Sequence, residues 1–350
     1  WVIAAKDIAD AIKNKITFGV ILPALFVVGM YWVLPGLSRG SEPPNLLVYD
    51  AGNSSLVTAL ENDETFTVYD FPTQTSMFAN LDNGDLPELG LVIPPHFDEL
   101  LENNGQFELD GYVLHWLTSE QTNELVSLFE TRANALLGER GQIEVTVNTV
   151  HTTAESRGMA FLTSVGLIVV ISMMGITLTP NLMLEEKKDK TLDALLVSPA
   201  GSSEVVIAKA ITGMFYTITV TGLSLALYNT LITNWPLAIT AVLCGSLMAV
   251  SIGLLFGSVF EVRQQLMLWA WVVIVPLLLP AFLVIMSDLL PAWLIAAFKW
   301  IPTVALAKVF RVAYSGSAPL GDFLPGLALN LGVAVLLLAL VAWVVRRADR

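Results

Sequence analysis

Residues able to do covalent or metal chemistry are sparse in this chain and poorly spaced for it. The three histidines, His96, His115 and His151, stand far apart and form no HxxxH pair. Cys244 is the only cysteine, which excludes an intrachain disulfide and a cysteine-based zinc site, so no metal is expected. No GxSxG elbow marks a hydrolytic serine, and no GxxxxGK[ST] loop is present to cradle a nucleotide phosphate. No catalytic residue is assigned and the chain is not read as an enzyme. The chemistry it does encode is that of contact. Residues 185–209 (EEKKDKTLDALLVSPAGSSEVVIAK) open with mixed charges and continue into a short helix, 191–197, with Leu192, Leu195 and Leu196 on one side. Pro199-Ala200-Gly201 ends it, and Ser202 or Ser203 can cap the next helix. A short, half-apolar helix has no core of its own, so it lies on a bilayer surface or docks into a groove on another protein.

The elements that must hold this segment are set by composition. Hydrophobic residues make up 55% of 350 residues and charged ones 14%. Mean hydropathy is +0.67. That balance places much of the chain in lipid. The net charge of −13 excludes a nucleic-acid partner, because phosphate would repel it. Residues 40–155 carry 20 Asp+Glu against only Arg132 and Arg140, so this stretch is strongly acidic while the remainder is mildly basic. The chain reads as an acidic soluble domain inserted into a membrane body. Its first residue is Trp1 rather than Met, which predicts that residues precede it. No cleavable signal peptide is expected, since the first apolar run is long enough to span.

Six apolar runs, 16–37, 159–182, 205–232, 237–260, 266–286 and 323–345, match the ~20 residues a membrane helix needs. Basic residues set the orientation. Lys6, Lys13 and Lys15 precede the first run; Lys187, Lys188 and Lys190 follow the second; Arg263 follows the fourth; Arg346, Arg347 and Arg350 close the chain. An even number of spans puts all four groups on one side, the cytoplasm, and the acidic domain outside. Lys299, Lys308 and Arg311 break the pattern. The expected fold is an α-helical polytopic membrane protein of six transmembrane helices with an inserted α/β extracytoplasmic domain. Its parts are a cytoplasmic amphipathic helix at 1–15, a first span at 16–37, the acidic domain at 40–155, a five-helix region at 159–345 and a tail at 346–350. The setting is a plasma membrane, in a prokaryote the inner one.

Within the acidic domain, strands are expected at 45–49, 65–71, 89–93, 112–117 and 143–147, with helices at 54–61, 74–81, 96–102 and 119–137. The last helix is assigned Ser119 as N-cap and a face of Leu125, Leu128, Phe129 and Leu136. His115 sits in a strand as a structural residue. The acidity keeps the domain soluble and off anionic headgroups, adapts it to a salty exterior, or attracts a cationic cargo; sequence does not separate the three.

In the membrane body, ionisable residues are nearly absent from mid-span. Lys209 and Glu261 fall near span ends, where snorkelling is cheap. A proton- or ion-coupled carrier needs a buried carboxylate or histidine, and none is evident, so energy comes from elsewhere. Gly253 and Gly257 form a GxxxG pair suited to packing within the chain or, less favourably, to a dimer seam. Pro276 and Pro280 are expected to kink the fifth span.

At residues 184–204 the sequence resembles the cytoplasmic coupling loop of ABC-2 type permeases, the membrane subunits of ATP-binding-cassette exporters. Glu186, Lys187, Asp189, Thr191, Leu192, Asp193, Leu195, Leu196, Pro199, Glu204 and Lys209 stand at the motif's positions, with Lys190 replacing a glycine and Asp193 a glutamate. The start, with Lys6, Asp7, Lys13 and Lys15 and an apolar stripe of Ile8, Ile12 and Ile16, is similar to the family's inner-surface helix. Residues 288–315, including Pro291, Trp293, Pro302 and Arg311, resemble its outer re-entrant helices, which would account for the outside cations. A large extracytoplasmic domain between the first two spans narrows the likeness to one branch.

The resemblance implies a permease driven by a separate ABC ATPase present in two copies, which would bind the ATP and Mg that this chain does not. It implies a second permease chain, identical or homologous. Glu186, Lys187, Thr191, Leu192, Asp193, Leu195, Leu196 and Pro199 would couple to the ATPase. The cargo would be a hydrophobic or amphipathic drug or lipid moved outward, with sodium or peptide export as alternatives of the same architecture. The competing reading of another class is a membrane sensor whose outer domain binds a ligand. Six spans and a tail of only five residues after Val345 weigh against it. A membrane-embedded hydrolase ranks third, for want of an intramembrane nucleophile–base pair.

Overall fold

The computed structural model describes residues 43–138, 141–188 and 202–348, together with Leu22 and Gly29. The expected amphipathic helix at 1–15 and first span at 16–37 therefore lie almost wholly outside the described residues.

Residues 45–150 form an α/β domain in the order β1 (Asn45–Asp50), α1 (Ser55–Glu61), β2 (Thr67–Asp70), α2 (Gln74–Asp82), β3 (Glu88–Ile93), α3 (Phe97–Asn104), β4 (Gln106–Leu114), α4 (Ser119–Leu137) and β5 (Gln142–Val150). The sheet runs β2-β1-β3-β4-β5. β1 pairs in parallel with β2 and β3, β4 runs antiparallel to β3, and β5 parallel to β4. Leu46, Val48, Leu89 and Leu91 are fully buried on one face, and Leu47 and Gly90 are buried on the other, as strands covered on both faces require.

Three expectations for this domain are corrected. Thr118, not Ser119, caps α4: its hydroxyl accepts from Gln121 N while the Gln121 side chain accepts from Thr118 N. That reciprocal box satisfies two orphan donors, which Ser119 one residue on would not. The inward face of α4 is Leu125, Phe129, Ala133 and Leu137, whereas Leu128 and Leu136 are exposed. The observed set follows an i, i+4 stripe that the heavier leucines disguised. The fourth strand begins at Gln106 rather than Tyr112 and ends at Leu114, which leaves His115 just beyond it.

Among the described residues the membrane body starts with α5, which runs Met159–Met173, a π-turn at Met174–Leu178, and Thr179–Lys188. It continues with α6 (Ser202–Leu227), α7 (Trp235–Val259), α8 (Arg263–Leu283, then 3-10 through Val284–Leu289), α9 (Ala292–Phe298), α10 (Pro302–Tyr314) and α11 (Leu320–Ala348). Five of these helices are long and apolar enough to cross a membrane, and α9 with α10 makes a bent pair at 83° that passes the same test together. The third expected run, 205–232, is shorter than drawn: α6 ends at Leu227 and a turn follows. Pro276 and Pro280 do not interrupt α8; its regular helix gives way after Leu283, and Met286 is its non-helical residue. The core of α5 is 78% buried, against 61% in α7, 22% in α8 and 17% in α11, so α5 is the most enclosed of these helices. α7 packs on α5, α6, α10 and α11. Buried residues of sheet and bundle join in one apolar cluster.

Candidate functional site

The coupling segment is the first candidate. Glu186 and Lys187 lie in the last turn of α5, while Thr191, Leu192, Asp193, Leu195, Leu196 and Pro199 fall outside the described residues. What the structure adds is the pair of helices that bound it. Met183 and Leu184 near the end of α5 are buried, and so is Lys209, about two turns into α6. Lys209 is only 2% exposed. This corrects the expectation of a snorkelling side chain: the stem is enclosed by the bundle.

Above that end, α5 is gripped by its neighbours. Pro180 has no N–H for the carbonyl of Ile176, and the helix answers this lost bond with the wider π-turn at Met174–Leu178. The Thr177 hydroxyl donates to Met173 O, and Asn181 Nδ2 donates to Thr177 O at 2.6 Å. The widened turn meets α7 at glycine. A Cβ on Gly253 would stand 2.2 Å from Gly175 O, and one on Gly257 2.8 Å from Met183 Sδ. Both members of the GxxxG pair thus face α5 of the same chain. On the other side, a Cβ on Gly213 of α6 would lie 2.6 Å from Thr179 Oγ1. The hydroxyls of Thr163, Ser172, Thr179, Thr221 and Ser246 are buried here without a hydrogen bond among the described residues. Lys209 and Arg311 are the only buried charged side chains among those described in the helices, and no carboxylate is buried there.

An open apolar groove of about 550 Å³ lies between α6 and α11 near the Lys209 end, lined by Val206, Ile207, Met214, Phe215, Leu338 and Ala342 among others. Its walls offer almost no polar surface, so an amphiphile's apolar body fits and a bare ion does not.

At the opposite end the α/β domain is bolted to the bundle. Asp82 Oδ1 accepts from Thr153 N at 2.8 Å, Asn83 Oδ1 from Arg157 N at 2.7 Å, and Gly84 O from Met159 N at 3.2 Å. The C-terminus of α2 thus holds the chain as it enters α5. Arg157 then reaches the 3-10 end of α8, donating to Asp288 Oδ1 at 2.9 Å and to Ser287 Oγ at 3.1 Å. Asp288 holds the Arg157 guanidinium above its ordinary range. Lys308 sits 3.1 Å from Asp322 and 3.7 Å from Glu155.

The histidines need a further correction. His96 is on the surface, 3.7 Å from Glu99. His115 and His151 are together, with ring centroids 4.8 Å apart. Parallel pairing of β4 with β5 ends both strands at one edge and delivers the two rings there. His115 Nε2 lies 3.0 Å from Leu231 O, in the turn between α6 and α7, so Nε2 carries the proton and donates. The sequence carried no signal for this: with a strand expected at 112–117, His115 fell inside it, and only the register of β4 on β5, which pairs Leu114 with Val150, sets the two histidines side by side.

The bent pair carries the remaining expected residues. Pro291 caps α9 with extended backbone, and Trp293 is exposed. Trp300 and Leu289 are exposed beside it, an aromatic and apolar rim of the kind that sits at a membrane–water interface. Pro302 starts α10, and its carbonyl accepts from Asn330 Nδ2 at 3.0 Å. Arg311 is buried, its guanidinium 5.8 Å from the Phe161 ring centroid. These residues tie α10 to α5 and α11.

A family model described as ABC-2 family transporter protein matches residues 15–343. No curated protein and no solved structure matches the chain.

Proposed function

The chain belongs to the ABC-2 family of transporter proteins, and from that premise we propose that it is the permease subunit of an exporter that moves a hydrophobic or amphipathic molecule outward, powered by a separate ABC ATPase. The bundle lining carries this reading: hydroxyls and apolar side chains, with Lys209 and Arg311 its buried charges among the described residues. A coupling ion would need a carboxylate or histidine where the lining offers hydroxyls. The apolar groove between α6 and α11 supports an apolar cargo entering sideways from the leaflet next to Lys209. In this reading residues 184–204 face the cytoplasm and the α/β domain, bolted through Asp82–Gly84, faces outward. The working unit contains two permease chains and two ATPase chains. ATP-driven closure of the ATPases is passed through residues 186–199 to α5 and α6, and the bundle shifts between inward- and outward-open populations.

Purification of the chain from its native membrane in mild detergent, followed by mass spectrometry, tests the reading. A stoichiometric P-loop ATPase is the expected companion. An intact permease arriving without one would favour a sensor whose outer domain binds a ligand.

A further inference from the structure

The α/β domain contains a pocket of about 310 Å³ that its fold does not use. That volume lies at the lower end of the ~300–1,000 Å³ of small-molecule sites. Its walls include Pro43, Pro44, Tyr69, Pro87, Glu124 and Leu128. Tyr69 and Leu128 expose 47% and 38% of their surface, large apolar areas on an otherwise acidic domain. The three prolines have no backbone N–H, so this part of the wall offers rings and carbonyls and no donors for an anion. Gln121, also in the lining, already uses its side-chain carbonyl on Thr118 N at 3.1 Å.

The charge around the pocket has one sign. Glu124 is exposed, and its carboxylate makes no hydrogen bond or ion pair among the described residues. Asn45, in the lining, donates from Nδ2 to Glu88 Oε1 at 2.8 Å, which sets a second carboxylate behind it. Burial holds Glu88 above the ordinary carboxylate range, a cost that a cation in the pocket would relieve. Arg132, the described cation of the domain, is taken up by Asp63. The position also matters. Pro87 is three residues from Gly84, whose carbonyl holds the first residue of α5. The pocket therefore opens near the end of the domain that meets the bundle.

We propose that this pocket binds a small organic cation with an apolar body, Tyr69 and Leu128 enclosing the body and Glu124 meeting the charge. A delocalised or quaternary cation suits it best, since the tyrosine face attracts such a charge without requiring a hydrogen-bond donor from the ligand. The site goes beyond the export reading and stands without it.

Equilibrium dialysis of the full chain in detergent tests this with tetraphenylphosphonium as probe and tetraphenylborate as an anion of the same shape. The expected result is one saturable site for the cation and none for the anion. Glu124→Gln and Tyr69→Ala should each weaken cation binding about tenfold. Glu144→Gln, which removes an exposed carboxylate on β5, should change it less than twofold. Equal binding of both ions, no saturable site for the cation, or an equal loss in Glu144→Gln and Glu124→Gln would overturn the proposal. The last outcome would mean that only the general acidic field attracts the cation. No nucleotide or ATPase enters this assay, so failed binding leaves the export reading standing, and a failed ATPase pull-down leaves the pocket standing.

Discussion

In the α/β domain, Ser54, Thr73 and Thr118 stand at helix starts and accept from backbone N–H groups three residues on. In the bundle the same residue types turn backward. Thr212, Thr217, Thr219, Ser224 and Thr240 each donate to the carbonyl four residues earlier in their own helix. Position in the helix explains the difference. A helix end in the domain has orphan donors that a side chain can relieve. A hydroxyl inside a helix has no orphan donor within reach and can bond backward to its own backbone, as Thr58, Ser76 and Ser127 of the domain also do. Packing differs in parallel. Phe129 meets Phe66 edge to face, with centroids 6.3 Å apart, in a core built from large side chains. α5 and α7 meet through Gly175, Ala249 and Gly253, where a small surface permits close approach. The domain is held by what it buries, the bundle by what it leaves out.

If the regions are built so differently, they should fail separately. The largest effect belongs to neither core. Leu192→Asp places a charge on the expected docking helix and should abolish cargo-stimulated ATP hydrolysis while the melting curve stays parental; parental stimulation would discard the docking idea. Next comes Phe129→Ala, expected to cost the domain about 3–5 kcal/mol. Limited proteolysis should then cut within 45–150 while α5 to α11 remain protected. Simultaneous loss of both would show that the shared apolar cluster makes them one cooperative unit. Gly253→Val is smaller, about 1–3 kcal/mol if the helices can part slightly. It should lower the melting temperature of the bundle and leave protease protection of the domain unchanged.

Much of the domain was legible because alternation and length decide buried strands: NLLVY and LGLVI admit one reading. The start of β4 was not. Gln106-Phe107-Glu108-Leu109-Asp110-Gly111 alternates, but two of its three polar members are acidic and it ends in glycine, which reads as a loop until β5 supplies a parallel partner. The spans were legible from hydropathy, while their order of burial was not, since α11 is the more apolar of the two, at 2.6 against 2.3 for α5, and yet the far less buried. Lys209 shows the limit for site residues. A lysine near a span end can reach water along its own stem, and only the packing of α5 and α7 on α6 reveals that this one does not. The π-turn had a signal in Pro180, two residues past the turn's end and inside an apolar run, where a missing N–H must be accommodated somewhere.

The smallest effect concerns the joint where the two regions meet. Burial is the main cause lowering His115 from its ordinary 6.5; the hydrogen bond to Leu231 opposes it, and His151 lowers it further. The sign follows from linkage. A histidine with a depressed folded value binds its proton more readily when unfolded. Its contribution is therefore present above about 6.5 and is lost as pH falls through the folded value. Protonation would also place a cation 4.8 Å from the His151 ring, between the sheet edge and the α6–α7 turn. One such group changes stability by at most about 1.4 kcal/mol per pH unit. The parent should thus lose melting temperature between pH 7 and pH 5.5 more steeply than His115→Gln, which keeps a donor for Leu231 and has no proton to gain. Proteolysis at the 150–158 stalk should rise over the same interval in the parent alone. Parallel melting profiles for the two proteins would assign the acid sensitivity to the carboxylates of the domain, and the joint would then be held by Arg157, Asp82 and Gly84 without help from the histidines.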